Sequence, residues 1–384
     1  MNRKRSFLCV SVFLAISALS FAAGYFGRPY LQPQEADFPL LLEAHRLLVK
    51  NALFELPENP ALEYGMIRGM LTAYGDPYTR FIEPVETELT TDDLSGQYGG
   101  IGASLDHDAE GWIILHPFPD GPAKQAGIQD GDRLIRADDL ELTPATPVDD
   151  AVAALRGPEG DPVLVTVARP PAYETFTFEI ERQAIPLPSV TWYPAPADPR
   201  LGVIQVNLIA ASTDDEIETA VAELRAQDVA TFALDLRGNR GGLVDAGVSV
   251  ARLFLEDGEI LKEKYRDQDM ETYKVKQPGS LTGLPLVVLV DENTASAAEI
   301  IAGALQARGA AVVIGNQTFG KDTIQLAFNL SDESSIYVTA AKWWVPGLEP
   351  SIGEDGLVPD IVTSGEQANS DPVIAAAIAY FSEQ

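Results

Sequence analysis

From Phe7 to Phe26 almost every position is apolar, and Arg3, Lys4 and Arg5 stand just before this run. Positive residues ahead of an apolar stretch form the layout of an export segment, here residues 1–26. Ser20, Ala22 and Ala23 are small enough to suit cleavage, yet about 20 apolar residues also suffice to stay as an uncleaved membrane anchor. Both outcomes place the body of the chain in an extracytoplasmic space: periplasm, cell envelope or medium. Next, Phe38, Leu41, Leu42, Ala44, Leu47 and Leu48 repeat at helical spacing, which predicts helix over about 37–75 until Gly75-Asp76-Pro77 stops it. Residues 27–92 read as an N-terminal helical region.

The period shortens after that. Residues 93–183 predict a β-rich unit, with strands at Ile113–Leu115, Val163–Ala168 and Phe176–Ile180. Short helices are expected at Pro122–Gly127 and Val148–Leu155, the second stopped by Gly157-Pro158. Pro186, Pro188, Pro194, Pro196 and Pro199 read as a stiff linker. From about 200 onward strands and helices alternate, so 184–384 reads as one α/β domain. Within it, Leu284–Asp291 predicts a strand, Ser296–Arg308 an Ala-rich helix ending at Gly309, and Ile324–Leu330 another strand.

Apolar residues make up 46% of 384, enough for a sizeable core. Asp and Glu number 57 against 27 Lys and Arg, a formal charge of −30. That balance argues against nucleic acid as a partner, because such partners demand a basic footprint. The one cysteine, Cys9, lies inside the export segment, so disulfides and a cysteine nucleophile in the body are excluded.

The β-rich unit carries Gly99-Gly100-Ile101-Gly102, then Pro122-Ala123-x-x-Ala126-Gly127, Asp130-Gly131-Asp132 and Leu155-Arg156-Gly157. In this order the segments resemble a PDZ domain. A glycine loop can present N–H groups to a chain-terminal carboxylate, and the strand that follows can pair with an incoming peptide. The candidate peptide-binding residues are Gly100, Ile101, Gly102 and Ala103, with the Val148–Leu155 helix as the other wall of the groove. Arg156 reads either as a charge cap on that helix or as a contact coupling the unit to the downstream domain.

The chemistry is narrowed by what is missing. Only His45, His107 and His116 are present, so no Ser-His triad can form within the α/β half. His-Glu-x-x-His, Gly-x-Ser-x-Gly and Ser-x-x-Lys motifs are absent. A serine activated by a distant lysine remains. Ser296 would sit at the positive end of its helix, although Ser296-Ala297-Ala298-Glu299 is also a capping box. Lys321, Thr323 and Gln325 share one face if the strand begins there, so the Gln325 side chain is expected to accept a hydrogen bond from the lysine amine. Ile324, Leu326 and Phe328 then point into a core. Asp235-Leu236-Arg237-Gly238-Asn239-Arg240-Gly241-Gly242 reads as a strand end and a glycine loop able to aim N–H groups at an oxyanion.

Together with Asp76-Pro77-Tyr78-Thr79 and Gly320-Lys321-x-x-x-Gln325, these motifs resemble the carboxyl-terminal processing, or tail-specific, protease family over about Leu40 to Asp360. The resemblance implies a multidomain α/β (α+β) protein: a crotonase/ClpP-like α/β protease core, a helical N-terminal region and a PDZ domain. It implies Ser296 as nucleophile, Lys321 as general base and Gln325 as the group orienting the lysine. It also implies an oxyanion hole from the N–H of Ala297 and of Gly242, or alternatively Gly241. The implied substrates are proteins or peptides with apolar C-terminal tails. No metal or organic cofactor is implied. A membrane tether through the N-terminal segment, self-association and an activating partner all remain open. One departure is Asp322, where the family has glycine after the lysine. It supports the alternative of an inactive PDZ scaffold. A crotonase-type acyl-CoA enzyme is a weaker rival, opposed by the export segment and the peptide-binding unit.

Overall fold

The computed structural model describes residues 38–57, 59–363 and 371–384; the expected export segment lies outside them. The chain divides between Met70 and Leu71 into two compact units. In the first, helix α1 (Pro39–Asn51) leaves Leu41, Leu42, Leu47 and Leu48 exposed; α2 (Ala61–Tyr74) follows and runs through the division. The helical pattern expected over 37–75 is carried by two helices. The backbone turns extended at Ala52, and Pro57 and Pro60 lack the N–H that a continuing helix needs. Among the described residues no helix is long and apolar enough to cross a membrane.

After the end of α2, the second unit continues with strand β1 (Arg80–Ile82) and helix α3 (Pro84–Ser95). The sequence analysis named no separate helix here, although Pro84 at its start and Gly96 at φ 73° after its end are the expected punctuation. A two-stranded ribbon of β2 (Gln97–Gly100) and β9 (Gln183–Pro186) forms the neck of the β-rich domain. Gly99 is required there: a Cβ would stand 2.0 Å from the Gly157 carbonyl oxygen. Beyond the neck, one sheet runs β3 (Ala103–His107), β4 (Ile113–Pro117), β5 (Asp132–Ala137), β7 (Pro162–Arg169), β8 (Glu174–Glu181), with the short β6 (Leu140–Glu141) on β5. Helices α4 (Pro122–Ala126) and α5 (Val148–Leu155) pack with it around Ile101, Leu115, Leu134, Val165 and Leu155. The strands and helices expected for this domain are all present.

The α/β half is built on a six-stranded sheet. Its order is β10 (Val190–Ala195), β11 (Asp198–Val206), β12 (Thr231–Asp235), β15 (Leu286–Val290), β16 (Val312–Gly315), β19 (Ile361–Val362). All neighbours are parallel except the β10–β11 hairpin. Strands buried on both faces read as unbroken apolar runs, and β15 is Leu-Val-Val-Leu-Val, buried throughout. Ile204, Leu234 and Val288 face α6 (Thr213–Arg225), α7 (Val244–Phe254) and α8 (Ala297–Ala307). Val203, Ala233, Val287 and Leu289 face the other way, onto α9 (Pro372–Ser382). The proline-rich stretch expected to be a linker instead holds β9 and β10. Pro194 is tolerated because β10 is an edge strand, where a missing N–H breaks no ladder.

A second sheet lies over the first. β18 (Ser335–Trp344) pairs with β17 (Thr323–Asn329) along one side, and with β1 and β13 (Glu259–Tyr265) along the other; β14 (Glu271–Lys274) extends β13. Of the β17 residues expected in a core, only Ile324 is buried; Leu326 and Phe328 are exposed. A bulge between Ile324 and Gln325 interrupts the alternation, and the rest of the hairpin runs beyond the core. Truncating a side chain that closes the main core gives a direct measure of this packing. Leu234→Ala is expected to lower unfolding stability by about 2–5 kcal/mol in a urea titration, with the dependence on denaturant unchanged.

Candidate active site

Two loops leave the carboxyl ends of adjacent parallel strands, β12 and β15, where open α/β sheets form clefts. After β15, the Asp291 carboxylate accepts the N–H groups of Asn293 and Thr294, each at 3.0 Å, and that of Gly238 from the other loop at 2.9 Å. The Thr294 hydroxyl donates to the Leu236 carbonyl at 2.9 Å. Buried Asn239 donates to the Val206 carbonyl and accepts the Gly241 N–H, each at 2.8 Å, while its carbonyl takes the Ala295 N–H at 2.9 Å. The two loops therefore hold one another in place.

Ser296 stands where the second loop enters α8, at φ 57° and ψ −120°. A non-glycine residue in this region is strained and persists only where its surroundings over-determine it. Here they do. Gly241 lies flat against the bend, and a Cβ on it would fall 2.9 Å from the Ser296 Cβ. The bend puts Ser296 at the positive end of α8 and leaves the Ala297 N–H without an acceptor among the described residues. The Gly242 N–H is likewise uncommitted, whereas that of Gly241 is taken by Asn239. Of the two glycines open for an oxyanion hole, only Gly242 has its donor free. Its own backbone is fixed by a parallel bridge to Ile209, against which a Cβ would come within 2.1 Å of carbonyl oxygen.

Glu299, one turn into α8, is completely buried. Its carboxylate accepts the Ser296 N–H at 2.8 Å, the Thr318 hydroxyl at 2.5 Å, the Gly320 N–H at 2.8 Å and the Lys321 N–H at 3.0 Å. The same oxygen, Oε2, takes both the Ser296 and the Lys321 amides. Burial raises the Glu299 pKa above the usual range, and the four donors pull it back only in part. The Lys321 amine lies 5.1 Å from the centre of the Tyr78 ring. Burial, and then the Arg80 guanidinium, hold the Lys321 pKa below its usual value; Glu299 and Asp76 pull the other way without reversing it.

A serine on a strained strand-to-helix turn, two free N–H donors and a partly dehydrated lysine tied to the same carboxylate are the components of acyl transfer to a serine. The profile of peptidase family S41 matches residues 200–363, and that of the PDZ domain matches residues 117–169. A carboxyl-terminal-processing protease of Picosynechococcus is 36% identical over 307 residues, 79% of this chain and 73% of that one. This chain belongs to the carboxyl-terminal processing proteases of peptidase family S41. The carboxy-terminal processing protease CtpA of Bacillus subtilis is 31% identical over 313 residues, 79% of this chain and 66% of that one. The solved structure of a photosystem II D1 C-terminal processing protease is 30% identical, covers 84% of this chain and 86% of that one, and gives a TM-score of 0.45.

As an S41 serine peptidase with a PDZ domain, the chain acts on proteins or peptides. Its remaining expected residues fall as follows. Lys321 precedes β17 rather than lying in it. The expected Lys321–Gln325 hydrogen bond is not formed: the Gln325 amide nitrogen donates to the hydroxyls of Thr323 and Thr339, each at 3.1 Å. Asp322 turns away from Lys321 and pairs with Lys342 at 3.1 Å. In the PDZ domain, Gly100 pairs with Gln183 in the neck, Ile101 is buried in the domain core, Gly102 takes φ 67°, and Ala103 opens β3, whose outer edge is unpaired in the sheet. Arg156 ends α5, lies 3.4 Å from Asp92 of α3 and stacks 4.3 Å over the Tyr98 ring.

The sequence marks Glu299 as a capping residue, and the spacing from Ser296 carried no hint of its three partners near Lys321. Two expectations follow. Glu299→Gln places an amide N–H₂ among donors, so kcat/KM for a fluorogenic peptide ending in Leu-Ala-Ala is expected to fall roughly 100-fold or more while circular dichroism stays unchanged. Lys321 is held below its ordinary pKa, so the unfolded chain binds the proton more tightly and the folded form loses stability at neutral pH. Lys321→Met is therefore expected to raise the thermal midpoint by a few degrees at neutral pH, with the gain shrinking as pH rises towards the usual lysine range.

Proposed function

We propose that this protein is an exported serine endopeptidase that cuts proteins near their C-termini through a Ser296–Lys321 dyad. The observation that carries the reading is the shared Glu299 oxygen, which holds the backbones of both residues at one point. In the cycle, neutral Lys321 takes the Ser296 hydroxyl proton as the serine oxygen bonds to the scissile carbonyl carbon. The N–H groups of Ala297 and Gly242 hold the resulting oxyanion. The C–N bond then breaks, Lys321 returns the proton to the departing amine, and water deacylates Ser296 by the same route. Gln325 keeps its role beside the lysine in this reading. With its nitrogen held by two threonine hydroxyls, its carbonyl oxygen is left as the acceptor.

The PDZ domain supplies the substrate preference. An apolar C-terminal tail would add to the open edge of β3, with α5 as the opposite wall, and its carboxylate would meet the Gly100–Gly102 loop. Tethering there raises the effective concentration of the rest of the chain at Ser296. Export is supported by the basic and apolar pattern of residues 1–26. The inactive-scaffold alternative was drawn from Asp322, whose carboxylate is turned to Lys342 rather than to Lys321.

The test is cleavage of an unfolded model protein ending in Leu-Ala-Ala, followed by mass spectrometry. Ser296→Ala and Lys321→Ala are expected to lower the rate at least ~10³-fold, towards the background left by binding alone. The unaltered chain should gain activity as pH rises through the lowered pKa of its lysine. Cleavage that survives Ser296→Ala would give the reaction to another nucleophile. Fragments ending far from the C-terminus, with no dependence on the tail, would remove the tail preference.

A further inference from the structure

The far end of the glycine loop, at Gly241 and Gly242, lies against Ser296, while its first residue, Arg237, is engaged elsewhere. The Arg237 guanidinium grips the Asp235 carboxylate with two bonds, Nε to Oδ1 at 2.8 Å and Nη2 to Oδ2 at 2.6 Å. The Arg237 N–H adds a third at 3.1 Å. The remaining nitrogen, Nη1, donates to Asp371 Oδ2 at 2.8 Å. Asp371 is the capping residue of α9: its other oxygen, Oδ1, accepts the N–H groups of Val373 at 3.0 Å and Ile374 at 3.2 Å. Each oxygen of this carboxylate therefore has its own task. The helix itself is seated by burial of Val373 and Ala377 among Val203, Ala233, Val287 and Leu289 of the parallel sheet. It lies beyond residue 363, where the match to the S41 profile ends.

We propose that Asp371 is a positioning residue for the oxyanion hole: fixed on α9, it holds Arg237 and, through it, the course of the loop that carries the Gly242 N–H. The inference rests on the reading of that N–H as an oxyanion donor. A guanidinium is planar and rigid, so bonds to two carboxylates at opposite ends leave it no freedom to swing. Without Asp371 it would keep only Asp235, two residues away in its own segment. The other ties of the loop run to the serine elbow through Asp291 and Asn239, to Val206 and to Ile209. Those secure its middle and far end. Asp371 secures its beginning, from the face of the sheet opposite α7 and α8.

The cap and the tie can be separated by substitution. Asparagine and serine cap a helix about as well as aspartate, but each offers a single oxygen. Asp371→Asn and Asp371→Ser therefore keep α9 capped and leave Arg237 Nη1 without its acceptor. For the fluorogenic Leu-Ala-Ala peptide, both are expected to lower kcat roughly 10-fold with KM nearly unchanged, a fraction of the ~10²–10³ that outright loss of an oxyanion donor costs. Their thermal midpoints and the acid limb of the pH profile are expected to match those of the unaltered chain, because neither packing nor Lys321 is touched. Phe381→Ala, at the far end of α9, removes packing but not the tie, and is expected to lower the midpoint with kcat unchanged. Unchanged kcat in Asp371→Asn and Asp371→Ser would overturn the proposal. So would a rise in KM alone, or a loss of kcat shared by Phe381→Ala, which is the mark of a merely structural helix. Each variant is also made together with Ser296→Ala. Activity surviving there would overturn the serine reading itself, whereas Ser296-dependent activity with unmoved kcat would overturn only the role of Asp371.

Discussion

One buried carboxylate organises this site. Glu299 has no contact with solvent and yet must remain an acceptor, since everything pointing at it is a donor: three amides and a hydroxyl. Burial alone would neutralise it, and its raised pKa shows how far desolvation presses in that direction. What it returns is geometry. The Ser296 and Lys321 amides meet on one of its oxygens, so the elbow after β15 and the loop before β17 cannot separate without stranding a buried charge. The strain at Ser296 persists for the same reason, because the amide it would have to move is pinned.

The rest of the architecture delivers partners to that point. The parallel sheet brings the glycine loop and the serine elbow out of neighbouring strands, and Asp291, Thr294 and Asn239 lace them together. The loop entering the second sheet carries Lys321, and the sheet holds the 76–80 turn through Thr339. Helix α3 binds three parts of the molecule at once. Thr87 shares a hydroxyl contact of 3.0 Å with Ser335 of β18, the Leu94 carbonyl accepts the Ala211 N–H, and Asp92 faces Arg156 of the PDZ domain. A short polar helix with little apolar character is thus placed by hydrogen bonds rather than by burial, which explains why periodicity did not disclose it.

The same distinction marks what could be read from the chain and what could not. Elements specified by their own residues were legible: the wholly apolar β15, the Ala-rich α8, and α5, stopped by Gly157-Pro158. Ser296 and Lys321 were singled out by the ordered motifs of the family resemblance, the lack of histidine in that half only narrowing the chemistry. Elements specified by their neighbours were not legible. Pro194 looks like a linker residue unless it is known that its strand lies at a sheet edge. Leu326 and Phe328 look like core positions unless the bulge before Gln325 is known. Capping accounts for only one of Glu299's four hydrogen bonds, and the other three come from a loop about twenty residues away in sequence.

The charge of the chain sharpens the problem its lysine must solve. A formal charge of −30 favours ammonium everywhere on the molecule, and a general base needs the opposite. Salt confines that field to about 10 Å, so the outcome is decided by the few groups that bear on the half-buried amine. Two of them are carboxylates, but Glu299 is engaged by four donors and Asp76 by its own turn, and each is correspondingly less available to a cation. Asp322, the residue nearest in sequence, is drawn off by Lys342. With the negative groups committed elsewhere, burial and Arg80 prevail, and the lysine lies below its usual pKa in spite of the acidic protein around it.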